Sequence, residues 1–154
     1  MLAPALIALT LLTAPVSAEA CRVYLMPEQK LKVGYETGTI QAAAIVAIDE
    51  AEALEPIPLQ PQGKLKPWQG TARIVHVIDG DELPETVTFA LGYGSSMCET
   101  EYYPLPEEGD LFAVYFWYSE TEGRLLPWRV FSLDEARRAD PRVLALTTAL
   151  RVRP

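Results

Sequence analysis

Asp110-Leu111-Phe112-Ala113-Val114-Tyr115-Phe116-Trp117-Tyr118 is the stretch on which the fold reading turns. Its β-branched and aromatic side chains alternate strictly, with Leu111, Ala113, Tyr115 and Trp117 facing one way and Phe112, Val114, Phe116 and Tyr118 the other. Both faces are apolar. A half-solvated strand would carry polar residues on one parity, so this one is expected inside the structure, covered on both sides.

Working outward, Ser119 to Gly123 reads as a turn and Leu125 to Phe131 as a returning strand, with Pro127 marking an edge or a bulge. Upstream, Thr39 to Ala51 holds the run Ala42-Ala43-Ala44-Ile45-Val46-Ala47-Ile48, a second strand buried on both faces; Asp49 to Leu54, rich in Ala and Glu, keeps a helical rival open at its end. Gly70 to Ile78 alternates and stops at the turn Asp79-Gly80-Asp81, and Thr86 to Leu91 follows Pro84 as a further strand. Glu55 to Gln69, with four prolines and Gly63, reads as an exposed loop, and a second loop runs from Gly92 to Cys98. Ser132 before Leu133-Asp134-Glu135-Ala136 is a helix N-cap with acid in the first turn, and Asp140-Pro141 opens a second helix. Five strands and one or two C-terminal helices predict a mainly β domain, a small five-stranded barrel, with a β-sandwich as the alternative.

The chain starts differently. Leu2 to Val16 has no charged residue and gives way to Ser17-Ala18-Glu19-Ala20, the pattern of an export signal with a small-residue cleavage site after Ala18 or Ala20. The apolar run is too short for a spanning helix and is interrupted by Pro4 and Pro15. Residues 1–20 are therefore expected to be a removable signal and residues 21–154 one domain, secreted or periplasmic, without an integral span in the mature chain. A cut before Cys21 would also permit a lipid anchor on that cysteine, although Glu19 does not suit such a site.

The formal charge of −8 argues against binding nucleic acid or an anionic membrane, both of which need a basic face. Arg137, Arg138, Arg142, Arg151 and Arg153 cluster near the end and read as a solvated helix face. Cys21 and Cys98 are the only cysteines, and an even count in an oxidising compartment predicts one disulfide. Closing a loop of that length would stabilise the domain by about 4 kcal/mol in the chain-entropy treatment. A lipidated Cys21 beside a free Cys98, or two inert thiols, are the alternatives.

Catalytic chemistry finds little purchase. His76 is the only histidine, lies mid-strand between Val75 and Val77, and has no second metal ligand at short spacing, so it reads as structural. Ser95 and Ser96 lack the flanking glycines of a nucleophile elbow, and Gly92-Tyr93-Gly94 lacks the third glycine and helix of a phosphate cradle. Asp79-Gly80-Asp81-Glu82 reads as a solvated turn, since calcium needs six or more oxygens in a spaced series; the acidic zone of Glu99, Glu101, Glu107, Glu108 and Asp110 reads the same way. No catalytic residue, metal or cofactor is assigned. The aromatics Trp68, Tyr93, Tyr102, Tyr103, Tyr118 and Trp128 fall in loops or at strand ends as well as within strands. Core packing accounts for most such rings, and those that remain exposed suit the recognition of another protein.

An export signal ending at Cys21, the strand Ala42 to Ile48, the strand Thr71 to Ile78 closed by Asp79-Gly80, the Ser95-Ser96-Met97-Cys98 loop, and Leu105-Pro106-Glu107-Glu108-Gly109-Asp110 leading into an aromatic strand together resemble the group of tissue inhibitors of metalloproteinases and netrin modules. The resemblance covers roughly Cys21 to Phe131 and implies an oligonucleotide/oligosaccharide-binding (OB) type barrel and a Cys21 to Cys98 bond. It departs from the group in reading Cys21-Arg22-Val23 where those inhibitors have a Cys-x-Cys start, and in having no third cysteine. An inhibitor would also need the cut before Cys21, and Arg22 would put a charge where the group presents a small side chain. The expectation is an exported, non-enzymatic binding or structural domain, with a metalloprotease inhibitor or a hydrolase using His76 as the alternatives.

Overall fold

The computed structural model describes residues 25–55, 66–92 and 103–151. Cys21, Cys98 and residues 1–20, expected to be an export signal, lie outside them, as do Ser95, Ser96, Tyr93 and Tyr102.

Eight elements follow in chain order: α1 (Pro27–Glu36), β1 (Ala42–Ala53), β2 (Trp68–Asp79), β3 (Thr86–Leu91), β4 (Leu111–Ser119), β5 (Arg124–Ser132), α2 (Leu133–Ala139) and α3 (Pro141–Arg151). The five strands form one antiparallel sheet in the order β3-β2-β1-β4-β5. The domain is mainly β, and the sheet does not close: β3 and β5 touch, but no ladder joins them. Register shifts along β1–β2, between Ala43 and Ala44, Ile45 and Val46, and Ile48 and Glu50, give the central pair the extra twist that bends a sheet toward a barrel.

β1 lies at the centre with β4 beside it, neither at an edge, as their two apolar faces require. The inner face carries Ala42, Ala44, Val46 and Ile48 from β1 and Phe112, Val114 and Phe116 from β4, with Trp68, Val87 and Phe89. Trp68, Phe89 and Phe112 meet edge to face with ring centroids 5.6–5.9 Å apart, and the buried indole donates to the Tyr103 carbonyl at 3.3 Å. The outer face, with Ala43, Ile45, Ala113, Tyr115 and Phe131, is covered by Leu31 of α1, Ala136 of α2 and Val143 of α3. Two cores on one sheet explain why alternation in β4 brings no polar parity.

Three features differ from the sequence reading. The stretch Asp49 to Ala53 continues β1, its pairing with β2 overriding the helical preference of Ala and Glu. A helix also precedes the sheet: α1 starts with Pro27 in the tolerated first position and with the Gln29 side chain accepting from the Met26 N–H at 3.0 Å. Its mid-helix Gly34 is the price of close packing, because a Cβ there would stand 2.6 Å from Ile40 Cδ1 and 2.7 Å from Trp128 Cζ3. Of the arginines of the C-terminal helices Arg138 is exposed as expected, Arg137 is one-quarter exposed and pairs with Asp134, and Arg142, though 41% exposed, is engaged by the network described below. The expected cap is present, with the Ser132 hydroxyl accepting from the Glu135 N–H and the Glu135 carboxylate accepting from the Ser132 N–H. Among the described residues no helix is long and apolar enough to cross a membrane.

Candidate functional site

Two groups of polar side chains gather where β2 ends and β4 turns into β5. The first is a clasp around Arg142, whose side chain is 41% exposed and reaches from the surface to the buried Asp140. Asp140 caps α3 by accepting from the Arg142 N–H at 3.0 Å, and the same carboxylate receives the Arg142 guanidinium at 3.0 and 2.7 Å and the Tyr115 hydroxyl at 3.0 Å. Arg142 also reaches Asp79 at the end of β2 (3.0 Å), donates to the Tyr35 hydroxyl on α1, and lies over the Tyr35 ring, 4.7 Å from its centroid. One guanidinium thus ties α1, β2 and α3 together, and Asp140 joins Tyr115 of β4 to the same group.

Burial alone would push the Asp140 carboxyl up; the hydrogen bonds from Arg142 outweigh it and hold the group below the ordinary aspartate range. Burial and the adjacent Asp140 charge push the Tyr115 hydroxyl far above the ordinary tyrosine range, so it remains a donor. The Arg142 guanidinium is held more firmly protonated by Asp140. Every member is satisfied by another, which makes the clasp a positioning device rather than a set of groups waiting for a proton to move.

The second group is the mouth of the curled sheet. Tyr118 shares its parity with Phe112, Val114 and Phe116 and lies at the end of the inner face, where it is 43% exposed. Its register partner Leu125 and the β2–β3 residue Leu83 pack partly against the same inner core. Between the β2–β3 turn and the β4–β5 hairpin opens a hollow of about 390 Å³, lined by Gln41, Asp81, Glu82, Tyr118 and Arg124 among others. That size lies within the range of ligand pockets.

The β4–β5 turn that frames one side of the mouth is held by local hydrogen bonds. In the hairpin the Gly123 N–H donates to the Ser119 carbonyl at 2.7 Å and the Glu122 N–H to the Ser119 hydroxyl at 3.2 Å, while Arg124 binds Glu122 at 2.9 and 2.6 Å. In the β2–β3 turn Asp79 is held by Arg142, Gly80 has φ 88° and Glu82 has φ 57°. Glu82 is the one non-glycine residue with positive φ among those described, a conformation that costs an L residue about 1 kcal/mol or more. We expect Glu82→Gly to raise stability in urea denaturation by about 0.5 to 1 kcal/mol, the strain relieved being partly offset by the greater freedom of glycine in the unfolded chain. A loss of stability would show that the Glu82 side chain contributes to the fold.

Charge is balanced unevenly here. Asp79 has Arg142 and Glu122 has Arg124. Among the described residues Asp81, Glu82 and the Tyr118 hydroxyl have no hydrogen-bond or ion-pair partner.

The residues singled out in the sequence fall as follows. The run Asp79-Gly80-Asp81-Glu82 is divided, its first carboxylate drawn into the clasp and the other two facing the mouth. His76 is half-buried on β2 opposite Ile45 and meets no carboxylate or hydroxyl among the described residues. No group of three or more metal-ligating side chains converges among those residues. Trp68 and Tyr103 belong to the core, Trp128 is half-buried with Arg129 against its ring at 4.8 Å, and Tyr118 is the loop-proximal aromatic left open, beside Trp117 at 39% exposure. The clasp escaped the sequence reading because its members stand far apart in the chain; the Asp140-Pro141-Arg142 triplet, which places cap and guanidinium two residues apart, was its one local sign. The chain matches no protein-family model, no curated protein and no solved structure.

Proposed function

We propose that this is an exported, non-enzymatic domain that binds another protein at the mouth of its sheet. The observation that carries the reading is Tyr118, a large amphipathic ring left 43% exposed over a hollow of about 390 Å³ in a domain whose other inner-face aromatics are buried. Rings of this kind, held on a rigid strand end and flanked by polar groups, supply contact area at low entropic cost and recur at recognition hot spots. The overall charge of −8 turns the domain away from nucleic acid. The ionisable groups with displaced pKa values, Asp140, Tyr115, Arg142 and Tyr35, bond to one another. That mutual saturation favours a binding role over a catalytic one.

The test compares wild type with Tyr118→Ala on arrays of peptides. The expected result is a ligand class retained by wild type, lost or weakened roughly tenfold by the variant, and released chemically unchanged, with the thermal unfolding of the two proteins alike. Turnover of the retained ligand, or retention indifferent to Tyr118 and its neighbours at the mouth, would reject the reading.

A further inference from the structure

Resting on that binding reading, we infer that the mouth selects a basic side chain of its partner, a guanidinium before an ammonium, seated between Asp81 and Glu82 and against the Tyr118 ring. Among the described residues Asp81 and Glu82 are the carboxylates of the mouth that no cation neutralises, whereas Arg124, the basic group among the described residues of the lining, is engaged by Glu122. The hollow therefore presents two uncompensated negative charges and an exposed aromatic ring. An anionic ligand would be repelled there. A cation gains from both features at once, by charge-assisted hydrogen bonds to the carboxylates and by attraction to the ring face.

Guanidinium fits better than ammonium for a geometric reason. It is planar, so it can stack on a phenol ring while its edge donates to a carboxylate, and it is less tightly hydrated than the compact lysine head. Shape points the same way. The hollow, at about 390 Å³, leaves room for the aliphatic stem beside Tyr118 and for backbone on either side of the basic residue. Glu82 takes φ 57° in a connection that Arg142 engages at Asp79 and that packs closely against Ala42 at Gly80. The net charge of −8 adds a long-range field that draws a basic partner toward the domain.

The experiment titrates the ¹⁵N-labelled protein with two blocked tripeptides, acetyl-Gly-Arg-Gly-amide and its neutral isostere acetyl-Gly-citrulline-Gly-amide, following amide shifts at low and at physiological salt. The arginine peptide is expected to move Asp81, Glu82, Tyr118 and their neighbours along saturable curves that weaken with salt, and the citrulline peptide to bind at least about tenfold more weakly. The Asp81→Asn/Glu82→Gln double variant, which preserves shape at exposed positions, is expected to bring the two peptides to equal affinity. Equal binding of both by wild type at the mouth would overturn the preference for a cation while leaving the mouth as a binding site. Arginine-dependent shifts scattered over other acidic surfaces, or none at the mouth, would overturn the inference too. The fate of the broader binding reading is then decided separately, by whether the arrays yield a Tyr118-dependent neutral ligand.

Discussion

Replacing Asp140 by alanine is expected to destabilise the domain by about 2 to 4 kcal/mol, measured by urea unfolding at neutral pH. Asp140 is only 4% exposed and does three things at once: it caps α3, it neutralises Arg142, and it accepts the proton of a tyrosine that is itself fully buried. Alanine would leave the Tyr115 hydroxyl without an acceptor and the Arg142 guanidinium dependent on Asp79, which is half exposed and screened by water. The size of the effect comes from stranding these partners rather than from the strength of one bond. Conversion of the two members of the pair together, Asp140→Asn with Arg142→Met, is expected to cost less than the sum of the single changes. A cost below about 1 kcal/mol for Asp140→Ala would show that the clasp contributes little to holding helices on the sheet.

The same clasp has a definite pH dependence. The Asp140 carboxyl titrates below its value in the unfolded chain, so the folded state binds fewer protons over the interval between the two. The stability it contributes is therefore fully present above the unfolded aspartate pKa of about 3.9 and is lost as the pH falls through the lower folded value. The clasp holds unchanged between pH 5 and 8 by this reckoning, and Asp140→Asn should flatten the acid limb of the stability curve while leaving the neutral region parallel.

How far the fold can be read from the sequence depends on whether the signal is local. The alternation from Asp110 to Tyr118 and the uninterrupted apolar run from Ala42 to Ile48 place two strands away from the sheet's edges because each pattern states directly that both faces are covered. The caps at Ser132 and Asp140 mark two helices with equal directness. α1 was missed for a local reason as well: Lys30, Lys32, Gly34 and Glu36 interrupt its apolar stripe, leaving Leu31 and Tyr35 as the inward pair, and Gly34 is explained only by the Ile40 and Trp128 side chains that meet it in three dimensions. What covers the second face of β1 and β4 was thus half visible.

The site was legible in kind but not in composition. The tetrad from Asp79 to Glu82 announced a turn, and nothing in its sequence says that Asp79 turns toward α3 while Asp81 and Glu82 face a tyrosine of another hairpin. That division depends on the pairing of β2 with β1 and of β1 with β4, contacts made across long stretches of chain. Tyr118 and Trp68 look alike as aromatic residues at strand ends, yet one closes the inner core and the other is left at its mouth. Their positions along the ladders decide the difference.

The division turns on Gly80, and the second large effect is expected there: Gly80→Ala should destabilise the domain by about 2 to 5 kcal/mol and weaken binding at the mouth in the molecules that remain folded. Two costs combine. With φ 88° the position favours glycine, and an added Cβ would lie 2.6 Å from the Ala42 Cβ, 2.9 Å from the Ala42 Cα and 2.9 Å from the Gln41 carbonyl oxygen. Those atoms belong to the start of the central strand, where Ala42 is 1% exposed and pairs with Phe116, so the neighbour cannot give way as the tip of a flexible side chain would. The turn must move instead, and moving it pulls Asp79 from Arg142 on one side and displaces Asp81 and Glu82 on the other. Gly109 supplies the control, for its φ of 89° is nearly the same and a Cβ built on it would meet nothing within 4 Å. Gly109→Ala should therefore show the conformational cost alone, about 1 to 2 kcal/mol. Gly80→Ala should exceed it by about 1 to 3 kcal/mol in denaturant unfolding, with shifts in the amide spectrum at Asp79, Asp81 and Glu82. Equal costs at the two glycines would mean that the β2–β3 turn has slack against β1.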